Sequence, residues 1–257
     1  MSQLELSIVV PAFNEEEFIE DTLEYIDNVV MRKNLAYEII VVDDGSEDKT
    51  FEKAKNYAGK NGHVRVIGYG KNVGKGHAVK IGFMQATGNI VFFTDSDRDI
   101  DLEKISDYIE ALKCGDIVIA SKKHKASQVD VPISRRVLSE CFNGLVRILT
   151  GIPLKDTQSG LKAMKKNAFV NIIPRLAVKR YAFDVELLAV ANLFDLKVVE
   201  LPVNIKLDAS FRPKEMWRMF IDLLGIAYRL RILHWYQRPI LQKDHVQSRV
   251  SLILREL

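Results

Sequence analysis

Apolar, β-branched runs alternate with stretches of helical periodicity through the first half of the chain. Residues 6–11, 37–42, 64–69, 90–93 and 117–120 are short runs dominated by Val, Ile, Leu, Phe and Tyr, the length and composition of buried strands. Between them, residues 15–31, 48–60, 75–86 and 102–113 read as helices, each bounded by Asn, Asp or Gly, which supply starts and stops. Strands alternating with helices predict an α/β fold, a mainly parallel sheet covered on both faces. After residue 121 a basic loop follows, with Lys122, Lys123, Lys125, Arg135 and Arg136 opposed only by Asp130. Helices over 133–150 and near 184–194 and a last strand at 196–203 complete the pattern.

The segment 213–236 differs from the rest. Polar residues recur every three or four positions, at Glu215, Arg218, Asp222, Gly225 and Arg229, among Trp217, Phe220, Leu224 and other apolar side chains. Pro213 suits a helix start. Such a helix can lie in a bilayer interface, or pack on the protein's own sheet or a second subunit. No run approaches the roughly 18 apolar residues that a membrane span needs.

Ligands of open α/β sheets bind at the carboxyl ends of strands, so polar residues that abruptly follow apolar runs mark the chemistry. Asp95 and Asp97 close the strand at 90–93. Alternate strand residues share a face, so the two carboxylates can converge on a hard divalent cation and a diphosphate. The same spacing serves a polar turn capping the next helix, with Asp99 and Asp101 at its start. Asp43 and Asp44 end the second strand, where a carboxylate can accept the imide N–H of a base; Asp-Asp-Gly-Ser is also a common turn. Asn72-Val-Gly-Lys75-Gly is a glycine-flanked loop before a helix, suited to bring Lys75 and backbone N–H groups near an anion.

Composition narrows the class without naming the reaction. The 257 residues are 47% hydrophobic and 28% charged, enough for one large globular domain with an appendage. Cys114 and Cys141 lie in no CxxC pair, so neither a disulfide framework nor a zinc site is expected. The net charge of +3 is too small to argue for nucleic acid. Lys206 to Arg238 holds seven Lys/Arg against three Asp/Glu, a local +4, so an anionic surface would be met there. The start of the chain lacks the basic, apolar and small-residue succession of a signal peptide, and a cytoplasmic location is expected.

Pro11-Ala-Phe-Asn14-Glu15, Asp43-Asp44-Gly-Ser, Asn72-Val-Gly-Lys75-Gly and Asp95-Ser-Asp97, in this order, resemble the family 2 glycosyltransferases over about the first 125 residues. Ser134-Arg135-Arg, Ser139, Asn143, Asp156-Thr-Gln-Ser-Gly-Leu-Lys162 and Phe183-Asp-Val-Glu-Leu-Leu188 extend the likeness to about residue 205, and resemble the dolichyl-phosphate sugar synthases, the glucosyltransferase branch more than the mannose branch. The Gln-x-x-Arg-Trp signature of processive polysaccharide synthases is absent.

The resemblance implies a GT-A fold over 1–205, with a nucleotide-sugar half at 1–125 and an acceptor half at 126–205, and an amphipathic helical appendage at 206–257. It implies inverting, Mg²⁺- or Mn²⁺-dependent transfer of a hexose from UDP-glucose first, GDP-mannose second, to polyprenyl or dolichyl phosphate at the cytosolic face of a membrane. Pro11, Asn14, Glu15, Asp43 and Asp44 would line the nucleoside pocket, with Lys75 nearer the sugar-phosphate end. Asp95 and Asp97 would hold ribose and metal, while Lys122 and Arg135 contact phosphate. Asp99 stands where mannose-type members often carry a metal-binding Gln, and is either a third metal ligand or a helix cap. Transfer to a soluble glycan or protein, and a non-catalytic nucleotide-sugar-binding module, are the alternatives.

Overall fold

A computed structural model describes residues 5–94, 102–130, 132–154, 156, 160–206 and 213–239, without the side chains of 130, 133–135, 204–206 and 213. In chain order the elements are β1 (Leu6–Ala12), α1 (Ile19–Arg32), β2 (Tyr37–Asp43), α2 (Thr50–Lys60), β3 (Val64–Gly68), α3 (Lys75–Gln85), β4 (Ile90–Phe93), α4 (Ile105–Ala111) and β5 (Ile117–Ser121). There follow β6 (Gln128–Asp130), α5 (Ile133–Thr150), β7 (Lys162–Lys165), α6 (Lys166–Ile172), α7 (Phe183–Leu193), β8 (Val198–Pro202), β9 (Asn204–Lys206) and α8 (Pro213–Arg231).

Seven strands form one sheet in the order β3-β2-β1-β4-β7-β5-β8. All neighbours run parallel except β7, which lies antiparallel between β4 and β5. Both faces are buried, so the strands are largely apolar while alternate residues serve different cores. Val9, Ile40, Val91, Phe93, Ile119 and Met164 face one core with α3, α6, α7 and α8. Ile8, Ile39, Val41, Phe92, Val118 and Ala163 face the other with α1, α2 and α4. The expected α/β architecture is therefore present.

Several details differ from the sequence expectation. β7 and α6 escaped it because Lys-Ala-Met-Lys carries no β-branched residue and α6 has only seven positions. Residues 102–113 open with a 3-10 turn before α4. The helix expected from residue 15 starts at Ile19, for a reason given below.

The chain order reverses between β1 and β4: β2 and β3 are added on one side of β1, β4 on the other. That reversal opens a crevice at the carboxyl ends of β1 and β4. The Thr94 N–H donates to Val9 O at 3.1 Å, so the chain leaves β4 directly beside the loop that follows β1.

Candidate functional site

The loops after β1 and β2 are tied into one wall of this crevice. Asn14 has a left-handed backbone, φ 55°, which Asn tolerates. Its N–H donates to Ser46 Oγ at 2.9 Å and its Oδ1 accepts the Glu47 N–H at 2.9 Å. Glu15 N–H donates to Thr50 Oγ1 at 2.7 Å, and Glu16 N–H to Asp48 Oδ2 at 3.1 Å. Because these N–H groups serve the neighbouring loop, the chain turns once before α1 begins. Burial alone would raise the Asp48 carboxyl, but hydrogen bonds from Thr50 and Glu16 outweigh it and hold it below the usual range.

Asp43 and Asp44, adjacent and both buried, divide the work. Asp43 accepts the Ser46 hydroxyl at 2.5 Å and its N–H at 3.1 Å, so Asn14, Ser46 and Asp43 form a chain. Asp44 accepts the Tyr69 hydroxyl at 2.6 Å, Val73 N–H at 2.9 Å and Gly74 N–H at 2.8 Å. Its role in the described structure is to hold the loop before α3. Between the two loops Gly45, at φ 71°, brings its Cα so close that an added Cβ would lie 2.4 Å from Lys71 C.

The loop before α3 is seated on a strap at residues 176–182. Gly74 has φ 122°, and a Cβ there would meet Lys179 O at 2.5 Å, so this glycine answers to close packing. His77 N–H donates to Lys179 O at 3.0 Å and Lys80 Nζ to Leu176 O at 2.8 Å. Burial, then the Lys179 cation, lowers the His77 pKa, which keeps its imidazole neutral near pH 7.

Lys75 emerges from this seat toward the end of β4, its Nζ 5.8 Å from the centre of the Phe93 ring. On the same ring, at 5.2 Å, lies the ammonium of Lys162, which is wholly buried and bonded to Asp184 Oδ1 at 2.8 Å. Across the sheet, Lys122 N–H donates to buried Asp156 at 2.9 Å, with Lys122 Nζ 4.0 Å from the same carboxylate. Asp95, Asp97 and Asp99 and the side chain of Arg135 lie outside the described residues.

Pro11, Asn14, Glu15, Asp43 and Asp44 are thus gathered in one wall, Lys75 stands at the end of β4, and Lys122 stands beyond β5. Sequence reasoning gives Ser46, Lys162 and Asp184 no role beyond their place in the quoted motifs, and does not single out Tyr69 or the strap. Lys162 carries a further signal, a lysine inside the apolar run Leu161-Lys-Ala-Met.

The sequence model described as Glycosyl transferase family 2 matches residues 7–173. A human dolichyl-phosphate beta-glucosyltransferase is 35% identical over 255 residues, covering 90% of this chain and 77% of the relative. One from Drosophila melanogaster is 33% identical, covering 94% and 80%. Among solved structures, glucosyl-3-phosphoglycerate synthase from Mycobacterium tuberculosis in complex with Mn²⁺, UDP-glucose and phosphoglyceric acid superposes with a TM-score of 0.64 at 19% identity, covering 92% of this chain and 81% of that one.

Proposed function

Because the chain belongs to glycosyl transferase family 2, has its GT-A fold and is a glycosyltransferase, we propose that it transfers glucose from UDP-glucose to a polyprenyl or dolichyl phosphate, with inversion. Relatives that match most of its length include dolichyl-phosphate beta-glucosyltransferases, which favours a glucosyl donor and a lipid phosphate acceptor. Residues 1–125 act as the donor half and 126–205 as the acceptor half, with 206–257 as the appendage that meets the membrane.

The observation that carries the lipid acceptor is an apolar face on two packed helices. Trp217, Ile221, Leu224 and Tyr228 of α8, spaced three or four apart, are exposed, Trp217 by 65%. Val137, Leu145 and Ile148 of α5 are exposed at matching helical spacing, and Arg231 joins the two helices by donating to Ile148 O at 2.7 Å. Exposed apolar stripes of this kind suit a contact with a membrane or a partner. Arg218, Arg231 and Lys214 fringe it, the charge that suits an anionic membrane surface. No described helix is long and apolar enough to cross a membrane.

In the reaction, Asn14, Ser46 and Asp43 hold the nucleoside and Lys75 the diphosphate. Lys122 and Arg135 take the acceptor phosphate. A phosphate monoester has its second pKa near about 6, so its oxygen is already an anionic nucleophile at neutral pH and no strong general base is required. The protein's task is to orient two anions and balance their charge. Hard carboxylate oxygens at Asp95 and Asp97, just past buried Thr94 at the crevice, suit Mg²⁺ or Mn²⁺; such an ion would neutralise the departing diphosphate.

A matrix of UDP-glucose, GDP-mannose and other donors against polyprenyl phosphate and soluble acceptors, with Mg²⁺ or Mn²⁺, tests the reading. Glucosyl transfer from UDP-glucose to the lipid phosphate is expected. Transfer to a soluble sugar or protein alone would overturn it.

A further inference from the structure

Lys162 has no part in the contacts assigned above, yet it occupies the centre of the sheet. It pairs in register with Phe93 of β4 and Ile119 of β5, so it stands at the edge where both strands deliver their chains to the crevice. Its alkyl stem runs among the apolar side chains of the α3 and α7 face, and its ammonium is fixed by Asp184 at 2.8 Å, in the first turn of α7. The Phe93 ring lies against it at 5.2 Å and against Lys75 at 5.8 Å. One cation is buried beneath that ring and a second, partly exposed, lies at it.

Stability is a poor reason for such a pair. Two desolvated charges commonly hold a fold no better than well-packed apolar side chains of the same size, and the surrounding core is apolar. Burial is the largest influence on Lys162 and lowers its pKa, while Asp184 and Asp156 act to keep it charged. A charge kept at that cost is most effective where charge changes during the reaction, because water and salt screen it least there.

We propose that Lys162 is a positioning residue for glucosyl transfer, its ammonium providing a fixed positive field at the end of β4 as negative charge develops on the departing diphosphate. This rests on the reading of the chain as a nucleotide-sugar glucosyltransferase. Lys162 does not touch the donor. It acts through space, preorganised by Asp184 and Phe93, so its effect is greater on the transition state than on the ground state.

The test compares wild type, in which Asp184 holds the ammonium charged, with Lys162→Met in an Asp184→Asn background, which removes the ammonium and leaves no buried anion unpaired. The expected result is kcat at least tenfold lower in the double variant than in wild type. KM for both substrates and donor affinity by calorimetry should agree within threefold, and near-UV circular dichroism should be equal. If the methionine does not fold, Lys162→Gln with Asp184→Asn gives an uncharged pair that can hydrogen-bond in the same place. Equal kcat in wild type and the double variant, or KM rising in step with the loss of kcat, would overturn the role. A wild-type protein inert toward every donor and acceptor would instead overturn the function on which the role rests.

Discussion

Glu38 lies at the amino-terminal rim of the sheet, at the opposite end of β2 from Asp43 and the crevice. Its carboxylate accepts the hydroxyls of Ser7 and Thr87 at 2.7 Å each, the Thr87 N–H at 2.8 Å and Arg65 at 2.6 Å. Burial alone would raise this carboxyl, but the hydrogen bonds outweigh it and hold its pKa below the usual range. A depressed folded pKa means stability present above the unfolded value, near about 4.3, and lost as pH falls through the folded one. Urea unfolding across acid pH should therefore show a shallower loss of stability in Glu38→Gln than in wild type; identical slopes would exclude the linkage. The same scale separates Asp43 from Asp44, which the sequence offers as one polar pair closing a strand. Nothing in Asp-Asp-Gly-Ser reveals that the second carboxylate turns to Tyr69 and the loop before α3, because those partners are 25 to 30 positions away. Asp44→Ala should lower the unfolding free energy by about 1–3 kcal/mol, the cost of stranding buried donors. Asp43→Ala should weaken UDP-glucose binding by about 1–3 kcal/mol, as for a lost hydrogen bond to a charged group. Calorimetry and denaturation on both variants check the division, and equal donor affinity in Asp43→Ala and wild type would remove Asp43 from the pocket.

At the scale of elements, α8 shows where periodicity informs and where it misleads. The sequence reads Asp222 and Arg229 as part of a polar row, the usual mark of a solvent face. In the fold Arg229 turns inward, donating to the Tyr236 hydroxyl at 3.0 Å and to fully buried Glu186 at 3.3 Å. Glu186 also accepts the Tyr236 hydroxyl at 2.5 Å and the N–H groups of Ala177 and Val178 at 2.9 and 2.8 Å. One carboxylate thus fastens α8 to the strap that seats the loop before Lys75. With Leu223 and Ile226 buried in the core, the outward stripe is the apolar one. The hydrophobic pattern located the helix, but which face it buries depends on a partner in α7 that no local window contains. The two faces should respond differently. Leu223→Ala should cost about 2–5 kcal/mol of stability, the range for a buried leucine. Trp217→Ser with Tyr228→Ser should leave stability within about 0.5 kcal/mol per site while lowering sedimentation with anionic vesicles. A double variant that binds vesicles as wild type does would show that the stripe serves another contact.

For the whole molecule, the strand runs and the helical stretches between them are enough to predict a doubly covered sheet, because a parallel sheet buries both faces and keeps its strands largely apolar. The antiparallel β7, which carries Lys162 into the centre, was hidden by its own composition. What unites the parts is a geometric demand: a polyprenyl tail stays in the bilayer, since each buried CH₂ contributes about 0.8 kcal/mol, while its phosphate must reach the crevice. On the proposed function, the α5 and α8 face and the Lys122–Asp156 side of the crevice serve one substrate at once. On this basis Trp217→Ser with Phe220→Ser, whose rings lie 5.7 Å apart, should reduce transfer to a long polyprenyl phosphate in vesicles several-fold. Transfer to a short, water-soluble prenyl phosphate and binding of UDP-glucose should be unaffected. Arg135→Ala should impair both acceptors, because each presents the same dianionic head. Asp97→Asn, or excess chelator, should nearly abolish transfer to either, since a metal on the diphosphate is needed whatever the acceptor's length. The three patterns are separable in one assay with two acceptors. If the aromatic variant lost both acceptors equally while folded, the apolar face would belong to the enzyme's own architecture, and the lipid would have to be held elsewhere.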